Sequence, residues 1–196
     1  MIDYPSIGYD YTQVLGRMCV VSEKLDGHNV RAELCKSRFK LGARRRLVGT
    51  DDDDAVFAAG ATVFFEMYAD KVAAALSDAR LRRAVVYAEL YGSRTHMVRV
   101  DHGTQMDWAF LDVLDMERRQ FLEPSEALKV LEGGGLPVPR YTVESVDMDI
   151  VNAVRGDRTP NREGVVFKPK RVRKPSLSLP YAKAKTAWFM DLFNDP

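Results

Sequence analysis

Several charged or amide side chains sit at the ends of apolar runs in this chain. They are Glu23-Lys24-Leu25-Asp26-Gly27-His28-Asn29, Arg44 in GARRR and Glu89 in VVYAELYG. Further on come Phe110 and Asp112 in WAFLDV, Glu163 in REGVVFKPK, and Lys183 and Lys185 in YAKAK. Charge inside an apolar strand costs free energy unless it pairs or lines a cleft. Singly, each has a plain explanation: a lysine before Asp-Gly is a turn residue, and a glutamate in a strand is an edge or solvent-facing position. Familiar alternatives lack their signatures. There is no GxxxxGK(S/T), no GxGxxG after a strand, no HExxH and no GxSxG. His28, His96 and His102 have no ligand spacing with Cys19 or Cys35, which argues against structural zinc. Asp51 to Asp54 reads as a loop and a helix start, with Asp54 as N-cap, because adjacent carboxylates do not converge on one ion by themselves.

The charge is unevenly spread. The net charge is +1, yet Arg155 to Lys185 holds ten basic residues against two acidic ones. A second basic cluster runs from Lys36 to Arg46. Two such runs point to a polyanionic partner, where one alone reads equally well as a solvated face.

The elements that must position these residues follow from patterning. The spacing predicts strands over Met18–Lys24 and Asn29–Leu34, joined as a hairpin through Asp26-Gly27 with Lys24 at its mouth. An alanine-rich stretch from Asp54 to about Arg83 predicts one long helix or two short ones, with Gly60 a weak point. Strands are expected over Ala84–Leu90, Asp107–Leu114, Pro139–Val146, Gly164–Lys168 and Tyr181–Lys185. A short helix is expected over Ser125–Glu132, and a turn or helix over Thr186–Phe193. Arg171–Pro180 reads as a flexible segment. This order favours an α+β fold with antiparallel sheets and flanking helices over a doubly wound one. With 196 residues, 46% of them hydrophobic, the chain reads as one domain over 1–196. Two cysteines, an acidic N-terminus without an apolar core and no membrane-length apolar window read as a cytoplasmic protein.

Taken in order, the polar elements resemble the covalent nucleotidyltransferase superfamily of ATP-dependent DNA and RNA ligases and RNA capping enzymes. Lys24-x-Asp26-Gly27-x-Asn29 looks like the family's first motif, and Arg44, Glu89 and WAFLDV look like those that follow. Glu163-Gly164-Val165-Val166-Phe167-Lys168 and Lys183-x-Lys185 match the last two. The match spans about Glu23 to Lys185. Asn29, where DNA ligases usually carry arginine, makes the chain more similar to RNA ligases of the phage type-2 and editing-ligase group. The aromatic that stacks on adenine in relatives is Leu111 here, with Phe110 beside it.

The resemblance implies an ATP-grasp-like adenylation domain without a C-terminal OB or accessory domain, such a domain or protein being supplied by a partner if needed. It implies an ATP-dependent RNA ligase that forms lysyl-AMP on Lys24, transfers AMP to a 5′-phosphate and seals it to a 3′-hydroxyl. Lys183 and Lys185 would join Lys24 in catalysis, as cations that disfavour the ammonium form of the nucleophile. Glu23, Asn29, Arg44, Glu89, Phe110 and Lys168 would bind the nucleotide, and Glu163 would meet Mg2+ or Mn2+. The partners implied are RNA, or DNA, strand ends. The alternatives are a minimal DNA ligase, and a non-catalytic nucleic-acid-binding module of the same fold.

Overall fold

A computed structural model describes residues 2–36, 38–44, 46–93, 95, 103, 105–172 and 177–192. The architecture is α+β, built on two antiparallel sheets. Ten strands run β1 (Arg17–Lys24), β2 (Gly27–Cys35), β3 (Arg38–Ala43), β4 (Arg46–Val48), β5 (Arg83–Tyr91), β6 (Asp107–Asp115), β7 (Gln120–Phe121), β8 (Tyr141–Val146), β9 (Gly164–Pro169) and β10 (Ala182–Lys185). The smaller sheet has the order β10-β9-β1-β8 and the larger β4-β3-β2-β5-β6-β7. Among the described residues five α-helices flank them: α1 (Ala55–Val63), α2 (Ala69–Asp78), α3 (Pro124–Gly133), α4 (Met148–Gly156) and α5 (Ala187–Asp191). Among the described residues no helix is long and apolar enough to cross a membrane.

Each sheet buries one face under helices, as period-two alternation requires. On the larger sheet Val30, Ala32, Val86, Ala88, Leu90, Trp108 and Phe110 pack with Phe64, Val72 and Leu76 from the helical layer. On the smaller, Cys19, Val21, Val165, Phe167, Ala182 and Ala184 pack with Val151 of α4. The opposite faces look at one another, and the polar residues alternate onto them.

The expected hairpin between the first two strands does not form. β1 belongs to the smaller sheet and β2 to the larger, so Leu25 and Asp26 carry the chain from one sheet to the other. Gly27 is already paired with Tyr91 of β5. A Cβ there would lie 2.4 Å from the Leu90 carbonyl oxygen. The glycine thus serves a close strand approach rather than a tight turn.

The alanine-rich helix is interrupted and shorter than expected. A π-helical segment, Phe64–Tyr68, separates α1 from α2, and the helix stops at Asp78. Arg80 takes a positive φ of 59° and β5 starts at Arg83. Asp54 is the N-cap, accepting from the Val56 amide. Gly60 is a contact rather than a weak point. Trp108 Nε1 donates to its carbonyl at 2.8 Å, and a Cβ would meet Leu90 Cδ2 at 2.6 Å. α4 and the short strands β3, β4 and β7 were not expected from patterning. Of the stretch read as flexible, residues 173–176 lie outside the described residues.

The sheets are tied together by a buried carboxylate. Asp112 of β6 accepts from Lys168 Nζ of β9 at 2.8 Å, Tyr181 Oη at 2.9 Å and Tyr4 Oη at 2.6 Å. Lys168 also donates to the Leu111 carbonyl at 2.9 Å. Burial, reinforced by the Asp112 charge, holds both tyrosines well above the usual phenol range, so they remain donors. Tyr4 brings the N-terminal segment with it, and Gly8 continues that segment into a parallel bridge with Ala182. Removing one member of a buried ion pair strands the other charge. Lys168→Ala should therefore lower stability by about 3–5 kcal/mol. Urea unfolding checks this, and exposed Lys170→Ala should change it by less than about 0.5 kcal/mol.

Candidate active site

The two polar faces enclose a cleft of about 1100 Å³. From the smaller sheet come Ser22, Glu23, Lys24, Val166, Lys168 and Lys183, and from the larger Asn29, Arg44, Arg46, Glu89 and Leu111. The N-terminal residues Asp3 to Ile7 supply a further wall.

Strand register brings the charged residues together. Gly164 of β9 is opposite Lys24 of β1 on one side and Lys185 of β10 on the other. Glu163, just before Gly164, is therefore set between two lysines. Its Oε2 lies 2.8 Å from Lys24 Nζ and its Oε1 3.1 Å from Lys185 Nζ. A Cβ on Gly164 would sit 2.0 Å from the Ala184 carbonyl oxygen, so this arrangement requires glycine. Lys183 is two residues before Lys185 and so shares its strand face. Burial, and then the charges of Lys24 and Lys185, push the Lys183 pKa down, against the attraction of Glu163.

On the facing sheet, Asn29 of β2 is directly opposite Glu89 of β5. Burial pushes the Glu89 pKa up to about 8. Lys24 and a hydrogen bond from Asn29 pull it down, while Glu163 and Asp26 push it further up. At neutral pH Glu89 is thus mainly protonated and can both donate and accept.

Arg44 lines the cleft from the turn between β3 and β4, with a positive φ of 43°. Arg31, 1% exposed, fixes that turn by donating to the Arg44 carbonyl.

Three of the expected residues stand differently. Phe110 is not in the cleft. It is fully buried on the helix-facing side of β6, edge-on to Tyr68 with centroids 5.3 Å apart. A register shift between Tyr87 and Ala88 leaves Leu111 unpaired between Phe110 and Asp112, and Leu111 is the residue that reaches the cleft. Lys168 borders the cleft, but its ammonium is held by Asp112 and the Leu111 carbonyl rather than presented to a nucleotide. Lys185 does not line the cleft; it pairs with Glu163, which sits behind the lining and pairs also with Lys24. The motifs gave no sign of Tyr4, Phe57 or Arg46. The Arg46 guanidinium lies 4.7 Å from the Phe57 ring centroid, and only its place in the basic cluster pointed to it.

Among the described residues no three His, Cys, Asp or Glu side chains gather into a metal site.

The raised Glu89 pKa gives a stability prediction. The folded state keeps this proton at a pH where the unfolded chain has lost it. The group therefore subtracts stability as pH rises from about 4.5 to about 8. Glu89→Gln should flatten the decline across that window in urea unfolding followed against pH. An unchanged slope would mean that Glu89 is not the group responsible.

A family model for RNA ligase matches residues 17–185. No curated protein sequence matches the chain. Among solved structures, a variant of Naegleria gruberi RNA ligase with ATP and Mn superposes with a TM-score of 0.75 at 15% identity, covering 100% of this chain and 59% of that one. The same enzyme with PPi gives 0.71 at 16% identity, again covering 100% and 59%. A variant with AMP and Mn gives 0.74 at 15% identity with the same coverage. At these identities the likeness is one of fold, and this chain spans about 59% of the length of those ligases.

Proposed function

This chain belongs to the RNA ligase family, and from that premise we propose that it is an ATP-dependent RNA ligase acting through a covalent AMP on Lys24. The observation that carries the reading is Glu163 held between Lys24 and Lys185 beside a cleft lined by Asn29, Glu89 and Lys183.

In the first reaction the Lys24 amine attacks the α-phosphorus of ATP. An N–P bond forms, the P–O bond to pyrophosphate breaks, and the amine gives up a proton. Glu163 holds Nζ in place before the attack. Lys183, lining the cleft two residues before Lys185, offers positive charge where phosphate charge develops. Asn29 and Glu89, side by side on the opposite sheet, offer donors and acceptors to the ribose hydroxyls. Leu111 and Val166, both lining the cleft, offer apolar surfaces for the base in place of a stacked aromatic. Arg44 lies along the same wall for ribose or phosphate. Glu163 would offer its carboxylate to a Mg2+ or Mn2+ ion, which would add positive charge at the phosphates. Next an oxygen of an RNA 5′-phosphate takes the AMP. The N–P bond breaks and Lys24 recovers its proton. Finally a 3′-hydroxyl displaces AMP, forming the phosphodiester and releasing a proton.

Incubation with ATP and Mg2+ should add one AMP by intact mass, and Lys24→Ala should abolish the adduct. An adduct surviving that substitution would remove Lys24 from its role. Lys183→Ala should slow adduct formation by about 10²-fold, the loss typical of one electrostatic stabiliser, while exposed Lys170→Ala should leave its rate near wild type.

Substrate choice follows from where the sugar lies. A protein tells RNA from DNA by the 2′-hydroxyl and by A-form shape. Misplacement at a reacting centre can cost about 10²-fold. In matched nicked duplexes differing only in the sugars on the 3′-hydroxyl side, the ribose-terminated nick should seal faster. Equal or faster sealing of the all-DNA nick would favour a minimal DNA ligase instead.

A further inference from the structure

Beside β10 lies a second hollow, of about 310 Å³, lined by Tyr9, Tyr11, Arg155, Lys185 and Met190. It gathers residues from the N-terminal segment, the last turn of α4, β10 and α5. Two large side chains are left in water there, Tyr9 at 54% and Met190 at 45% exposure. Tyr11 is fixed: its ring packs edge-on to Phe167 with centroids 6.3 Å apart, and its hydroxyl donates to the Lys183 carbonyl at 3.1 Å. Tyr9 is presented instead, with Lys183 Nζ 5.0 Å from its ring centroid. Arg155 stands exposed at the end of α4. Among the described residues lining the hollow there is no carboxylate.

The hollow adjoins the active-site cleft. Lys183 lines the cleft and Lys185 lines the hollow. Lys185 is also bound to the same Glu163 that holds Lys24. A chain lying in the hollow would therefore be next to the lysine that carries AMP.

We propose that this hollow docks one nucleotide of the RNA strand that carries the 5′-phosphate, with its base on Tyr9 and its backbone phosphate between Arg155 and Lys185. The proposal rests on the ligase reading above and adds a location for the acceptor strand. An exposed ring framed by cations, Arg155 exposed and Lys185 shared with Glu163, is the combination that single-stranded nucleic acids use. A simple phosphate would make no use of the ring, and a purely apolar ligand no use of the cations. The hollow offers a ring face and charge rather than a base-edge pattern, so binding is tolerant of sequence. Arg155 opens the basic stretch that ends at Lys185 and has no part in the chemistry described above.

The test is fluorescence anisotropy with a short 5′-phosphorylated single-stranded RNA labelled at its 3′ end, using the full chain. Tyr9→Ala should weaken binding by about tenfold, within the range of one stacked base, while Tyr9→Phe, which keeps the ring, should bind like wild type. Arg155→Ala should weaken binding and make the dependence on log salt shallower by about 0.7, the share of one phosphate contact on a single strand. Affinity within about twofold of wild type for both alanine variants, below what a stacked base contributes, would overturn the proposal. Intact mass after ATP, read on the same preparations, separates the two readings. An AMP adduct with unchanged RNA affinity removes the hollow and leaves the ligase reading. Lost RNA affinity in the variants, without any adduct in wild type, does the reverse.

Discussion

A carboxylate taken out of water must be protonated, paired or held by donors. Glu163, only 3% exposed, is paired twice, once by Lys24 and once by Lys185. Much of the molecule can be read from that requirement. The two lysines reach it because β1 and β10 flank β9 and both register on Gly164. β9 can begin there because Gly164 has no side chain to strike the Ala184 carbonyl. The edge strand β10 is in turn fixed by its bridge to Gly8 and the bond from Lys183 to the Gly8 carbonyl. Removing either lysine would leave the carboxylate under-compensated, and removing the carboxylate would set the lysines against one another.

Asp112 shows what the same physics does away from the cleft. It too is buried, and it too is matched by a lysine, with two tyrosines completing its set. Its partners come from the other sheet, the N-terminal segment and the residue before β10, so it ties those parts together. Glu163 differs in being paired by two lysines, Lys24 and Lys185, with no tyrosine between them. The two clusters share β9, which contributes Lys168 to one and begins beside Glu163 at the other.

This contrast explains how much was legible in the sequence. The strands bearing the polar residues were readable from alternation, and their order carried the family likeness. The two-sheet split was not readable, because Lys24-Leu25-Asp26-Gly27 looks the same whether it turns a hairpin or crosses between sheets. Phe110 was misplaced because the register shift beside it changes which residue faces the cleft, and a bulge leaves no mark in an apolar strand. Lys168 looked like a nucleotide contact because its partner, Asp112, lies far away in sequence. Tyr4 and the N-terminal wall carried no motif at all. α4 had a readable start in Asp147, whose side chain caps the Ile150 amide, but its short apolar stripe was lost among charged neighbours.

The protonation state of Glu89 completes the electrostatics. Lys24, Lys183, Arg44 and Arg46 line the cleft. Set against them in the lining are Asp3, Glu23 and Glu89, the last with a pKa of about 8 that keeps it mainly neutral at neutral pH. A further ionised carboxylate in that lining would offset more of the cationic charge. Kept neutral by burial, Glu89 retains a donor and an acceptor for a sugar and adds little repulsion. The overall charge of +1 conceals this. The fold concentrates cations on the two facing sheets, and it does so by burying one carboxylate between lysines and holding the proton on another.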